Sequence, residues 1–250
     1  MKDYVFMHFL RLIFLCFIVI SVSGCSVKKQ VPVQISDISD AKDATGTVYA
    51  TVNVRGYGSM KFMLLDKYTP DAVNIFTEAA KEGFFNEKSI YMAIKDFCFI
   101  AGSAEDREFN GKQLIARIGE GIDNSSCYPV KGALCFTEAL GQAGYSAANF
   151  TVIQGGSEFI AGLEELLKYK KVTLAEYFKQ AYGNEISEDD LKIFRKYGGA
   201  PWLYGHCIVF GQLTEGEEVL DAICNCEVTD DSGFVPIEDI VIENITIETK

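Results

Sequence analysis

Apolar side chains alternate with polar ones over several short stretches of the chain. In residues 47–54 they fall on every second position, and residues 60–65 form a second apolar stretch after the turn Arg55–Gly56–Tyr57–Gly58. A period of two is typical of a strand with one buried face. So short a connection predicts that the two strands form an antiparallel hairpin. Further strands are predicted within residues 84–102 and at 133–136, 150–153, 207–212 and 240–247.

Helical spacing appears first after this hairpin and again near the end of the chain. Thr69 and Pro70 predict a helix start, with a capping hydroxyl and a proline at the first helical position. This helix is predicted to stop at Gly83, where glycine favours the end of a helix. A second helix is predicted at residues 215–223.

A longer helical region interrupts the β pattern between residues 155 and 199. Its apolar period changes from two to that of a helix, which predicts an α-helical insertion. Thr173 with Glu176 makes a capping box, and Ser187 with Asp190 makes a looser one. One helix face is predicted to carry Phe159, Leu163, Leu166 and Leu167.

The beginning of the chain has the features of an export signal. Lys2 and Arg11 supply positive charge, and residues 12–22 are apolar. The sequence Val22–Ser23–Gly24–Cys25 resembles the lipobox of bacterial lipoproteins, in which the cysteine thiol accepts a diacylglycerol. The alternative is an uncleaved signal anchor, because residues 4–22 are apolar enough to reach across a bilayer.

These features predict how the chain is organised. We expect residues 1–24 to be a lipoprotein signal peptide and residues 25–46 a polar tether. The folded domain is expected at residues 47–250, with the helical insertion at about 155–199. Lipidated Cys25 would anchor this domain outside the cytoplasm, on the bacterial cell membrane.

Charge and composition narrow the classes of function. The formal net charge is −12 at pH 7, and so acidic a protein repels phosphate backbones, which excludes nucleic acid as a partner. Apolar residues make up 48% of the chain, enough to fill a substantial core. We therefore expect a globular protein.

The cysteines are expected to be mostly structural. An even number outside the cell leaves disulfides open. However, Cys98, Cys135 and Cys207 lie in apolar stretches, where a free thiol packs as a small hydrophobic group. Cys224 and Cys226 are too close in sequence for an easy bridge. No metal site is expected, since the chain lacks a C-x-x-C pair and His206 is its one histidine beyond the signal.

Four sequence blocks, in order, resemble the cyclophilin family. They are Ile94–Lys95–Asp96–Phe97, Lys131–Gly132–Ala133–Leu134, Ala148–Asn149–Phe150, and a C-terminal block from Pro201–Trp202–Leu203–Tyr204–Gly205 through Val209–Phe210–Gly211 to Val219–Leu220–Asp221. The resemblance implies a mainly β fold, a closed eight-stranded antiparallel barrel with capping helices, here with the α-helical insertion. It also implies peptidyl-prolyl cis-trans isomerase activity without a cofactor.

The same resemblance assigns a site that lacks its usual polar groups. In the family an arginine, a glutamine and a histidine act on the prolyl bond, and the aligned positions here are Met92, Ile100 and Cys207. Arg55 and His206 are candidate substitutes. The substrate-binding positions implied by the resemblance are Phe97, Cys98, Thr137, Asn149, Thr151, Trp202 and Leu203.

Three aromatic residues of these blocks allow two interpretations. Phe97 and Phe150 can belong to the barrel core, as buried aromatic residues usually do. Trp202 follows a Gly–Gly–Ala–Pro loop, and its loop position favours contact with a ligand.

Two functions follow from the resemblance. The first is an isomerase of weakened activity that acts on proline-containing peptides or unfolded secreted proteins. The second is a catalytically inactive chaperone or scaffold that binds such peptides. A thiol-redox or metal function through Cys224 and Cys226 is a third, less favoured possibility.

Overall fold

The computed structural model describes residues 46–103, 105–106, 108–116, 127–137, 145–229 and 233–250. The predicted signal peptide, Cys25 and all of the tether before residue 46 lie outside these ranges. Within the described ranges, no helix is both long enough and apolar enough to cross a bilayer.

Eight strands form one antiparallel sheet, and four short strands make two small ribbons. The sheet order is β12-β1-β2-β11-β8-β10-β4-β3, and the ribbons pair β5 with β6 and β7 with β9. The alternating stretch at residues 47–54 and its partner form the predicted hairpin of β1 and β2. In chain order the strands are β1 (Val48–Val54), β2 (Gly58–Leu64), β3 (Ile90–Ile94), β4 (Cys98–Gly102), β5 (Glu108–Phe109), β6 (Lys112–Gln113), β7 (Ile115–Ala116), β8 (Ala133–Thr137), β9 (Tyr145–Ser146), β10 (Asn149–Ile153), β11 (Cys207–Glu215) and β12 (Ile242–Thr249).

The barrel is open, which corrects the closed barrel implied by the resemblance. Edge strands β3 and β12 share no ladder, and they are joined only around the bridge between Ser89 and Val241, where backbone N–H groups of Glu87, Ile90 and Ile242 donate across the gap. The backbone N–H of Ala93, in the middle of β3, donates instead to the carbonyl of Phe234 at 2.9 Å. The segment before β12 therefore forms a backbone hydrogen bond with the free edge of β3, and the eight strands make a half-barrel.

Five α-helices and one short 3₁₀ helix accompany the sheet in the described ranges. The insertion contains three of the α-helices, at the place where helical spacing predicted them. In chain order the helices are α1 (Pro70–Lys81), α2 (Ser157–Lys170), α3 (Leu174–Tyr182), α4 (Glu188–Tyr197), the 3₁₀ helix (Pro201–Leu203) and α5 (Glu217–Cys224).

Local helix signals are confirmed except at the start of α1. Both predicted capping boxes are present, with the side chains of Thr173 and Ser187 accepting hydrogen bonds from backbone N–H groups of α3 and α4. Thr69 makes no such cap. Its hydroxyl lies 3.3 Å from the carbonyl oxygen of Leu65 and 3.2 Å from that of Val209. The hydroxyl therefore ties the start of α1 to the sheet.

Two apolar clusters lie on opposite faces of the sheet. The inner cluster fills the half-barrel and contains Phe76 and Phe150, whose ring centroids lie 5.8 Å apart, edge to face. The core interpretation of Phe150 is thereby confirmed. The outer cluster joins the other face of β2, β4, β8, β10 and β11 to the insertion and the 3₁₀ helix. The insertion thus covers one face of the sheet.

The face of α2 differs slightly from its prediction. Leu163 and Leu167 are buried as expected, together with Ile160, which the prediction omitted. Phe159 and Leu166 are only partly buried.

The two ends of the described domain meet. The backbone N–H of Gly46 donates to the carbonyl of Lys250 at 2.6 Å, and the N–H of Lys250 donates to the carbonyl of Thr47 at 3.0 Å. Between these ends, β1 lies inside the sheet with β12 on one side and β2 on the other.

Candidate functional site

The strand positions assigned to the site lie in adjacent rows on the outer face of the sheet. Met92 pairs with Ile100, and Ile100 pairs with Thr151. Cys207 on β11 pairs with Thr137 at the end of β8. Since directly paired residues point to the same face, these side chains share one surface.

Cys98 lies two residues before Ile100, and Asn149 lies two residues before Thr151. Because alternate residues of a strand point to the same face, both belong to the same surface. Cys98 is buried against the outer cluster. The amide nitrogen of Asn149 lies 3.2 Å from the hydroxyl oxygen of Ser146 and 3.3 Å from the carbonyl oxygen of Ser103. The Asn149 amide is therefore engaged with its own loop.

Phe97 and Trp202 meet beside this surface. Phe97 closes the turn between β3 and β4, directly after Asp96 in the left-handed region (φ 60°). Trp202 sits in the 3₁₀ helix, and the two ring centroids are 5.0 Å apart with an interplanar angle of 61°. Leu203 is buried in the same outer cluster. We call this surface, with Phe97, Trp202 and Leu203, the recess.

The recess has apolar side chains where the family has polar ones. Met92, Ile100 and Cys207 offer no strong hydrogen-bond donor. Arg55 does not replace the missing arginine. Its guanidinium binds Glu87 at 2.6 Å and Glu243 at 3.6 Å, beside the segments that join β3 and β12. His206 lies in the turn before β11, where its backbone N–H donates to the carbonyl of Leu203 at 2.8 Å.

The insertion packs its own aromatic side chains on the Trp202 side of the recess, while Met92, Ile100 and Thr137 stay partly exposed. The ring centroids of Phe159, Phe178 and Tyr182 lie 5.7, 6.4 and 6.3 Å from that of Trp202. As a result Trp202 is only 4% exposed and Phe97 only 8%. The loop position of Trp202 predicted contact with a ligand, and in the structure the side chains that contact it belong to the insertion.

A buried asparagine connects the insertion to the 3₁₀ helix. The side-chain nitrogen of Asn184, just after α3, lies 2.8 Å from the carbonyl oxygen of Trp202. It also lies 3.4 Å from the carbonyl oxygen of Pro201 and 3.3 Å from that of Tyr204. One side chain thus holds the backbone of the segment that carries Trp202. Sequence reasoning missed Asn184, since its partners are distant in sequence.

Of the six cysteines in the described ranges, five are buried and Cys226 is partly exposed. Burial raises the pKa of the Cys98 thiol and raises that of Cys127 to about 12. Reactive thiols need exposure and a lowered pKa. In the described ranges, no group of histidine, cysteine and acidic side chains is placed to hold a metal ion. These observations do not support a thiol-redox or metal function.

Iodoacetamide at pH 8 will label Cys226 before the other five described cysteines. Cys226 is partly exposed, whereas the others are buried and therefore react only after unfolding. Mass spectrometry of peptides from the native protein measures the order of labelling. A Cys226→Ser variant should lose the fast phase. Equally fast labelling of Cys98 in the native protein would contradict the prediction.

The comparisons with known proteins agree with this architecture. The family model of the cyclophilin type peptidyl-prolyl cis-trans isomerase/CLD matches residues 49–247. A protein of Staphylococcus haemolyticus, named as a peptidyl-prolyl cis-trans isomerase, is 28% identical over 193 residues, which is 77% of this chain and 88% of the relative. A protein of Staphylococcus aureus strain USA300, named in the same way, is 27% identical over 191 residues, 76% of this chain and 87% of the relative.

Solved structures show the same fold. The crystal structure of a Cryptosporidium parvum cyclophilin type isomerase superposes with a TM-score of 0.54 at 18% identity, over 82% of this chain and 99% of that one. Its crystal structure in the presence of the dipeptide Ala-Pro gives the same TM-score and identity, over 81% of this chain and 99% of that one. With the family model covering most of the sheet and the whole insertion, the chain belongs to the cyclophilin type peptidyl-prolyl cis-trans isomerase family.

Proposed function

We propose that this protein is a cyclophilin-type isomerase of weakened activity that acts on proline-containing segments of secreted or surface proteins. One observation carries the proposal. The recess keeps the aromatic pair Phe97 and Trp202, while Met92, Ile100 and Cys207 occupy the aligned polar positions. Binding surface is retained, and the groups that would act on the twisted amide are missing.

The chemistry of the reaction explains why this loss matters. Rotation about the X-Pro amide has a barrier of about 20 kcal/mol, because the nitrogen lone pair is delocalised into the carbonyl. Donors that stabilise the twisted amide lower this barrier, and the loss of one preorganised donor typically costs about 3 kcal/mol, or a hundredfold or more in rate. A thioether and a butyl group donate no hydrogen bond, and a thiol is only a weak donor.

The chemistry of the recess also indicates the class of ligand. Its walls are apolar and aromatic, which suits a proline ring and its neighbouring apolar side chains. A related Cryptosporidium parvum isomerase was crystallised in the presence of the dipeptide Ala-Pro, which supports the same class of ligand here.

The proposed location rests on the amino terminus. We infer from the lipobox-like sequence that Cys25 is lipidated and holds the domain outside the cytoplasm. Its ligands would then be exported chains, for which slow prolyl isomerisation delays folding. Radioactive palmitate labelling of the expressed chain tests this location, and a Cys25→Ala variant is the control. Equal label in both chains would contradict lipidation.

The full chain in detergent will isomerise proline peptides at least about a hundredfold more slowly than a cyclophilin that keeps the arginine, glutamine and histidine. A protease-coupled assay with succinyl-Ala-Ala-Pro-Phe p-nitroanilide measures both proteins at equal concentration. The detergent alone, with protease and substrate, gives the spontaneous rate. A rate close to that of the reference cyclophilin would contradict the weakened activity.

The filled recess favours a second candidate, a peptide-binding module without turnover. The occupants of the recess, Phe178 and Tyr182, are apolar and aromatic, so the recess accepts such groups without any catalytic contact. Isothermal titration calorimetry with the same peptide separates the two candidates. If the peptide binds with measurable heat and its isomerisation is no faster than the spontaneous rate, the protein is the binding module.

A further inference from the structure

Helix α3 covers the recess with few buried side chains. Of its nine residues, Leu174 and Phe178 are buried, while Tyr177 and Tyr182 are partly exposed. A helix this short is marginal on its own, so it depends on packing for its position. The position of α3 over the recess therefore depends on Leu174, on Phe178 and on the Asn184 amide just after the helix.

Left-handed residues bound α3 on both sides. Lys171, which ends α2, has φ 55°, and Gly183, which ends α3, has φ 73°. The polypeptide turns sharply at both points, and both residues are exposed. Movement of α3 away from the sheet would therefore need rotation at these two helix ends and release of the hydrogen bonds that Asn184 makes to the segment carrying Trp202.

Two buried polar groups of the recess have no hydrogen-bond partner. The indole N–H of Trp202 and the hydroxyl of Thr151 are buried and make no hydrogen bond. A buried donor without a partner costs free energy, because it has lost its hydrogen bond to water. The covered recess therefore has unused hydrogen-bonding capacity, and a peptide backbone carries the acceptors that would use it.

We propose that α3 is a lid over the Trp202 side of the recess, and that an extended proline-containing peptide binds there only when Phe178 and Tyr182 move away from Trp202. The proposal rests on the proposed peptide-binding function. With the lid closed, Phe178 and Tyr182 occupy the positions that the apolar groups of the peptide take when it binds. The apparent affinity for peptide is then reduced by the fraction of molecules in which the lid is open.

Replacement of a lid contact will expose Trp202 and strengthen peptide binding. Phe178→Ala removes one ring that packs on Trp202. In the full chain in detergent, we expect acrylamide quenching of Trp202 fluorescence to rise about twofold. We expect the dissociation constant for succinyl-Ala-Ala-Pro-Phe p-nitroanilide, measured by calorimetry, to fall about fivefold or more as the open fraction grows. Trp202 is the only tryptophan, so the emission has one source.

A second phenylalanine of the insertion provides the matched control. Phe194 on α4 is fully buried like Phe178, and its ring lies 5.8 Å from that of Tyr128 and 6.1 Å from that of Tyr204, in a cluster that does not contain Trp202. Phe194→Ala creates a cavity of the same size away from Trp202. It should change neither quenching nor peptide affinity. If both variants raise both quantities equally, the insertion has loosened in general and the lid proposal fails.

The remaining outcomes separate the lid from the proposed function. Unchanged quenching with equally tight peptide binding by the parent and Phe178→Ala overturns the lid and leaves peptide binding intact. Increased quenching without binding by either protein overturns the peptide-binding function, and a peptide-gating lid with it. If circular dichroism shows that Phe178→Ala is unfolded, Tyr182→Ala takes its place, because that ring of α3 also packs on Trp202 and is only partly buried.

Discussion

Replacing Trp202 by alanine will lower the free energy of unfolding by about 3 to 5 kcal/mol. The indole packs against Phe97 and Phe159 edge to face and stacks on Tyr182, so its removal leaves a cavity lined by aromatic side chains. A tryptophan kept exposed for a ligand would have little such packing to lose. Urea denaturation followed by circular dichroism measures the change, since the substitution removes the single tryptophan of the chain.

An exposed aromatic residue of the same insertion is the control for Trp202. Tyr169 on α2 is 86% exposed, and Tyr169→Ala should change the free energy of unfolding by no more than about 0.5 kcal/mol. A loss below about 1 kcal/mol for Trp202→Ala would show that the recess is not packed as described.

Replacing Gly199 by alanine will destabilise the protein by about 3 kcal/mol or more. Gly199 lies where the insertion rejoins the sheet region, with φ +114°. A Cβ atom there would lie 2.3 Å from the carbonyl oxygen of Pro129 and 2.5 Å from the Cα atom of Val130. Both neighbours are backbone atoms that cannot rotate away. The melting temperature and the urea midpoint should both fall.

A glycine in the middle of α2 gives the opposite expectation. A Cβ atom at Gly162 meets nothing within 4 Å, and its backbone is helical. Gly162→Ala should therefore stabilise the protein by about 0.5 to 1 kcal/mol, because alanine loses less backbone entropy on folding. Similar effects of the two substitutions would contradict the close approach at Gly199.

Features set by neighbouring residues were predictable from the sequence. The β1–β2 hairpin follows from apolar alternation on both sides of a short turn. The capping box of Thr173 and Glu176 needs only residues three apart, and it forms as predicted. The family resemblance assigned Met92, Ile100 and Thr151 to one site, and the sheet register puts them side by side.

Features set by distant residues were not predictable in this way. Thr69 has the residue type of a helix cap, yet its hydroxyl bonds to a carbonyl of β11. At the open edge of the half-barrel, Ala93 donates to Phe234, in a segment with no clear strand pattern. The burial of Trp202 depends on Phe178, whose helical spacing indicates an apolar face without indicating which surface it covers.

The meeting of Gly46 and Lys250 has a mechanical consequence. Tension on the residues before Gly46 passes directly into β1, which is bonded along its length to both β2 and β12. Because these bonds run perpendicular to the strand, such a pull loads two ladders in shear, and many bonds must break together. A domain held by its amino-terminal end is thus attached through a strand well suited to bearing force.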